Sequence, residues 1–206
     1  MFFPHNGDLL FQDIDCGPMC DAIEQVTSGI DGARFSHIGL VVYKDNNIFV
    51  LESVSKGVIL TPLNQFLERS SDSLGNPKVI VGRLKQQFSN IINPAVLAAE
   101  KYLCKPYDTV FSIINDSYYC SELIYLSFKS ANGNKDFFKL SPMTFKTPGS
   151  EKYFKVWEDY FTQMNITIPE GEPGINPGGI SRSDLLDIVY IYGSPDGYNN
   201  YRYLHK

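Results

Sequence analysis

Long apolar runs are missing from this sequence. No stretch approaches the ~18 consecutive apolar residues that a membrane-spanning helix needs. The opening, MFFPHNGDLL, also lacks the basic segment and following apolar segment of a secretory signal. The chain is therefore expected to be soluble, either cytoplasmic as it stands or exported after loss of a signal segment. An excess of positive charge is missing too: 18 Lys+Arg stand against 23 Asp+Glu, a net charge of -5. Nothing general draws such a chain to phosphate backbones or anionic membranes, so nucleic acid is not an expected partner. Histidine is scarce, and two of the three, His5 and His205, lie at the termini, which leaves His37 as the interior imidazole for acid–base work. Cysteine is limited to four. Cys16 and Cys20 in CGPMC suit either a disulfide or half of a metal site, but no second Cys or His pair stands at a spacing that completes a zinc site. Free thiols are the reading taken for that pair, and neither metal nor organic cofactor is expected. Cys104 reads as a core residue.

What is present suffices for a core, with 43% hydrophobic residues in 206. The run GDLLF, Gly7 to Phe11, follows a turn signal and reads as a strand. In MCDAIEQVTSG, Ala22, Ile23 and Val26 recur at helical spacing before Gly29, which reads as a short helix. SHIGLVVYKDNNIFVLESV holds two β-branched runs either side of Lys44-Asp45-Asn46-Asn47 and reads as a hairpin. Further strands are expected at Val58 to Leu60 and Lys78 to Leu84. Asn93 as a cap and Pro94 at the first helical position place a helix start there, running to about Tyr102. YYCSELIYLSFKSANG reads as a second helix ending near Gly133, and EKYFKVWEDYFTQM as a third. ITIPEGEPGINPGG is too rich in Pro and Gly for regular structure, and SDLLDIVYIYG forms a last element. The fold class is α+β, an antiparallel sheet carrying helices on one side.

The hairpin lets one pair be placed. With Asp45-Asn46 as the two-residue loop, Lys44 faces Asn47, Tyr43 faces Ile48, Val41 faces Val50 and Gly39 faces Glu52. His37 and Glu52 then become diagonal neighbours on one face, about 7 Å apart at the backbone. Gly39 has no side chain to keep them apart. A carboxylate on one ring nitrogen orients an imidazole and stabilises its charged form. A cross-strand polar pair on a wet sheet face would look the same in the sequence. Cys120 is similarly two-sided. It opens its helix, where unpaired amides and the helix dipole favour a thiolate, yet it also lies on the stripe of Leu123, Ile124 and Phe128 expected to be buried.

Taken together, GDLLF, SHIGLVV, Glu52, KPYD and YYCSELIY resemble the circularly permuted branch of the NlpC-like, papain-fold cysteine hydrolases, the YiiX/YebB-like proteins. The order of the motifs carries the resemblance, because in unpermuted members the Cys-Ser helix precedes the strand motifs. The match covers residues 7 to about 128. It implies a circularly permuted papain-like (NlpC-type) fold, an antiparallel sheet or small barrel packed against helices. The chain is expected to be one such domain over 1–206, with 130–206 as an extension of it that either walls the substrate cleft or merely enlarges the fold. The resemblance further implies Cys120 as nucleophile, His37 as base and later acid, Glu52 as the residue orienting His37, and Tyr107 near the oxyanion. The implied reaction is cleavage of an amide in a peptide, a cell-wall peptide or a lipid-linked substrate through a thioester. A non-catalytic lipid- or peptide-binding module and a cysteine acyltransferase are the alternatives.

Overall fold

A computed structural model describes residues 2–199. Its centre is a six-stranded antiparallel sheet. The chain runs β1 (Leu9–Gln12), α1 (Pro18–Val26), β2 (His37–Lys44), β3 (Asn47–Val54), β4 (Gly57–Pro62), α2 (Leu63–Leu67) and β5 (Val79–Leu84). It continues through α3 (Ser89–Glu100), α4 (Cys120–Ala131), β6 (Ser141–Pro142), α5 (Lys155–Gln163), β7 (Pro173–Gly174), α6 (Pro177–Ser181) and β8 (Leu186–Ile191). The strand order is β4-β3-β2-β1-β5-β8, so β8 adds the far end of the chain to the sheet begun by β1. β6 and β7 form a separate two-stranded ribbon.

β1 explains why the sheet is two-sided. All four of its residues are fully buried, and alternate side chains enter different cores, as the period of two requires. Leu9 and Phe11 join Ile38, Leu40, Leu51 and Ile80 in the main core. α4 adds Leu123, Ile124 and Phe128 to that core, and α3 packs along α4. Burying each of those three α4 side chains contributes roughly 1.5–3 kcal/mol. Leu10 points the other way, with Val41, Val50 and Val79, under Phe66 of α2. Helices are thus not confined to one side, since the short α2 covers part of the second face. A third cluster of Ala22, Phe145, Trp157 and Phe161 joins α1 to α5.

Local chemistry accounts for the hairpin. Asp45 and Asn46 take φ of 50° and 62°, the left-handed pair that a two-residue turn between twisted strands demands and that Asn and Asp tolerate. The ladder runs Lys44↔Asn47, Tyr43↔Ile48, Val42↔Phe49, Val41↔Val50 and Leu40↔Leu51, the expected register.

Four further expectations are corrected. The Pro/Gly-rich run expected to have no regular structure carries β7 and the start of α6. α3 begins at Ser89, continuing a 3-10 turn over Gln86–Phe88, so Pro94 lies inside the helix rather than at its start. Pro94 has no N–H to give to the carbonyl four residues back, and Asn93, instead of capping, accepts a bond from Asn6 Nδ2 at 3.3 Å. Cys16 and Cys20 are joined in a disulfide, with Cα atoms 5.4 Å apart, rather than free. The helical start at Pro18 folds CGPMC into a turn tight enough to bring the two sulfurs together. Cys104 is exposed rather than in the core. It takes φ 67° just past α3, where its amide donates to Val58 O and ties the connection to β4. His5 is exposed, and His205 lies outside the described residues.

Candidate active site

His37 opens β2 at the end of the sheet, level with Gln12 of β1. Continuing the hairpin register by one step sets Gly39 against Glu52. A Cβ on Gly39 would stand 2.3 Å from Val50 Cγ1 and 3.5 Å from Glu52 Cβ. The bare glycine therefore leaves the gap through which the two side chains meet. His37 Nε2 and Glu52 Oε2 are 2.6 Å apart, and both residues are buried.

Glu52 is held by more than His37. The Thr61 hydroxyl, on β4, donates to Oε1. The Arg69 guanidinium grips the carboxylate with both ends, Nη1 donating to Oε2 at 2.7 Å and Nη2 to Oε1. Arg69 also lies over the Phe66 ring, 5.2 Å from its centroid. A planar fork of this kind matches a carboxylate in a way that lysine does not. Burial would raise the Glu52 carboxyl, but the bonds from His37, Arg69 and Thr61 outweigh it and hold the group down at about 2. Burial likewise pulls His37 down, yet its contacts with Cys120 and Glu52 carry it up to about 9. The ring is thus charged at neutral pH. With Nε2 taken by Glu52, Nδ1 is the nitrogen left for Cys120.

Cys120 is the first residue of α4, and what precedes it is pinned. The Ser53 hydroxyl, beside Glu52 on β3, donates to Tyr118 O. Tyr118 N donates to Pro106 O, and Tyr119 N to Glu122 Oε2 at 3.1 Å. The start of the helix is thereby fastened to the strand that carries Glu52. Glu122 is itself fully buried, and its Oε1 meets no hydrogen-bond donor. Burial, with one backbone bond against it, pushes its carboxyl up to about 8. Two fully buried carboxylates of one site are therefore shifted in opposite directions. Glu52 has a guanidinium and an imidazolium for partners, and Glu122 has no cation beside it among the described residues.

Cys120 opens onto a cavity of about 260 Å³. Its walls include Ile23 and Val26 of α1, Phe111, Met143, Phe145 and Trp157. The Pro/Gly-rich loop closes another side through Gly174, Ile175 and Pro177. That loop is docked onto α4, with Ser121 Oγ donating to Ile175 O at 2.9 Å and Ile175 N to the Tyr119 hydroxyl at 3.2 Å. Residues beyond 130 thus supply much of the lining of this cavity, Met143, Phe145, Trp157 and Ile175 among them. Tyr107 lines the same cavity, and burial pushes its hydroxyl far above the usual tyrosine range, so it stays protonated. The KPYD segment is fixed by Asp108, whose buried carboxylate accepts from Val110 N and Ser112 N at 2.8 and 2.6 Å.

The structure thus joins His37 to Glu52 by a hydrogen bond, sets Cys120 near enough to bear on the imidazole, and places Tyr107 with Cys120 on the cavity. Thr61, Arg69 and Glu122 were not identified from the sequence. Only Glu122 left a signal there, as an acidic residue in the first turn of a helix; an Arg two residues past a short helix and a Thr on a strand leave none.

Over residues 4–190 the chain matches the family model described as permuted papain-like amidase enzyme, YaeF/YiiX, C92 family. It is 33% identical over 132 residues to the uncharacterized protein YiiX of Escherichia coli strain K12, a stretch that takes 63% of this chain and 60% of that relative's length. A solved structure described as the metalloprotein yiiX from Escherichia coli O157:H7 superposes with a TM-score of 0.76. That superposition covers 93% of this chain and 99% of that one at 24% identity, a likeness of fold. Among the described residues no three His, Cys, Asp or Glu side chains gather to hold an ion, and Cys16 and Cys20 are already bonded to each other. Among the described residues there is also no helix long and apolar enough to cross a membrane. With the match running from residue 4 to residue 190, the chain belongs to the permuted papain-like amidases of the YaeF/YiiX, C92 family.

Proposed function

We propose that this protein is a cysteine amidase in which Cys120, His37 and Glu52 act as a triad. The observation that carries the reading is the run of contacts from Arg69 through Glu52 and His37 to Cys120, ending at a helix start that opens onto a cavity. A charged His37 beside Cys120 favours the thiolate, the form that attacks. Sγ bonds to the carbonyl carbon and the C=O pair moves onto oxygen. The Cys120 N–H and the Tyr107 hydroxyl are the donors placed to receive that charge. As the oxyanion collapses, His37 gives its proton to the nitrogen and the amine leaves. Water then attacks the thioester, His37 takes its proton, and the acid departs with Cys120 restored. Glu52 stays ionised throughout, clamped by Arg69, and keeps the imidazole turned toward the sulfur.

The mainly apolar walls support a lipid-linked or otherwise apolar amide over a polar cell-wall peptide. β8 completing the sheet supports reading the chain as one domain, and the Cys16–Cys20 disulfide supports an oxidising compartment.

The test is alkylation by iodoacetamide, followed by peptide mass spectrometry, in wild type and His37→Ala. Cys104 is exposed and serves as an internal reference. Cys120 is expected to label faster than Cys104 on the acid side of neutrality and to lose about tenfold or more of that rate in the variant. Labelling of Cys120 only after denaturation would instead favour the binding-module reading.

A further inference from the structure

The charge around the cavity is one-sided. Lys139 and Arg182 line it, and among the described residues no Asp or Glu does, in a chain whose net charge is -5. Both side chains are exposed. Lys139 and Arg182 have no ion pair or side-chain hydrogen bond among the described residues. Two uncommitted cations therefore border a largely apolar pocket that also contains the thiol.

We infer that this cavity takes a molecule with two unlike parts, an apolar acyl chain and an anionic group, and that Lys139 and Arg182 select for the anion. The acyl segment lies against Phe111, Met143, Phe145 and Trp157, and the charge is set at the exposed border, where a guanidinium and an ammonium recognise a carboxylate or a phosphate. For the chemistry, this inference rests on the amidase reading: the substrate class is then the amide of an apolar acid with an amine that bears an anionic group. For binding it stands independently, and the experiment separates the two.

Trp157 is the only tryptophan in the chain and lines the cavity, so its fluorescence reports occupancy. In full-length Cys120→Ala protein, N-octanoylglycine and N-octanoyl-phosphoethanolamine are titrated against uncharged N-octanoylglycinamide. At low salt an anionic ligand is expected to bind about tenfold more tightly than the neutral one, with the gap shrinking at high ionic strength, as for charges near water. Which anionic ligand binds better tells carboxylate from phosphate. Adding Lys139→Gln and Arg182→Gln is expected to remove the discrimination; both positions are exposed, and an unchanged melting temperature checks the fold. Equal affinity for charged and neutral ligands, a preference that survives the double substitution, or no binding of any of them would overturn the inference. Wild-type protein that releases no octanoate, beside an intact preference for the anion, would sink the amidase reading and leave the anion subsite standing.

Discussion

Replacing Glu122 by Gln should make this protein more stable, by an amount that grows with pH. The carboxyl is fully buried, its Oε1 has no partner, and it is raised from an ordinary 4.5 to about 8 in the folded chain. A raised carboxyl contributes stability that is fully present below about 4.5 and is lost as pH rises through about 8, because the unfolded chain ionises freely while the folded one resists. At about 1.4 kcal/mol per pH unit, the loss reaches roughly 3 kcal/mol at pH 7 and stops growing above about pH 8. The side-chain amide introduced by Glu122→Gln would keep an oxygen to accept from Tyr119 N and would carry no charge to bury. The His37 contribution has the same sense, present below 6.5 and lost as pH rises through about 9. It is common to both proteins and cancels in the difference. Urea unfolding followed by circular dichroism, near pH 5 and near pH 8, measures this directly. The variant should match wild type within about 1 kcal/mol near pH 5 and exceed it by about 3–4 kcal/mol near pH 8. A difference that is the same at both pH values would refute the argument, and so would a variant less stable near pH 8.

Two further substitutions address the other half of the site. Arg69→Met keeps the aliphatic stem over Phe66 and removes both bonds to Glu52, leaving a buried carboxylate with two hydrogen bonds fewer. Because the Arg69 side chain is 26% exposed and water screens part of the pair, the expected cost is about 2–3 kcal/mol, below the full value for a buried pair. The acid limb of the stability curve should also move to higher pH; an unchanged urea midpoint and acid limb would mean that the clamp does not hold Glu52. Gly39→Ala puts a methyl 2.3 Å from Val50 Cγ1 in the gap between His37 and Glu52. It should cost about 1–3 kcal/mol and shift the His37 titration, read by NMR, from about 9 toward its ordinary value. An unmoved titration would show that the pair does not need that gap.

The parts of this protein legible in its sequence are those decided within a few residues of themselves. Asp45-Asn46 tolerates the left-handed turn, and the turn sets the register, so the meeting of His37 with Glu52 across Gly39 follows from residues 37–52 alone. Cys120 at the first position of α4 is a local feature of the same kind. Where two local signals compete, the sequence misleads. Asn93-Pro94 carries the chemistry of a helix start, yet packing against α4 lets α3 begin earlier at the cost of one backbone bond.

What only the tertiary structure decided is the company these residues keep. Arg69 reaches Glu52 across 17 positions, and Ser121 reaches Ile175 across 54. No periodicity records such meetings, because they depend on how sheet, helices and loop are stacked. The same stacking sends one buried glutamate down to about 2 and the other up to about 8. The side chains are identical, and the difference is the cation that folding places beside one of them and not the other.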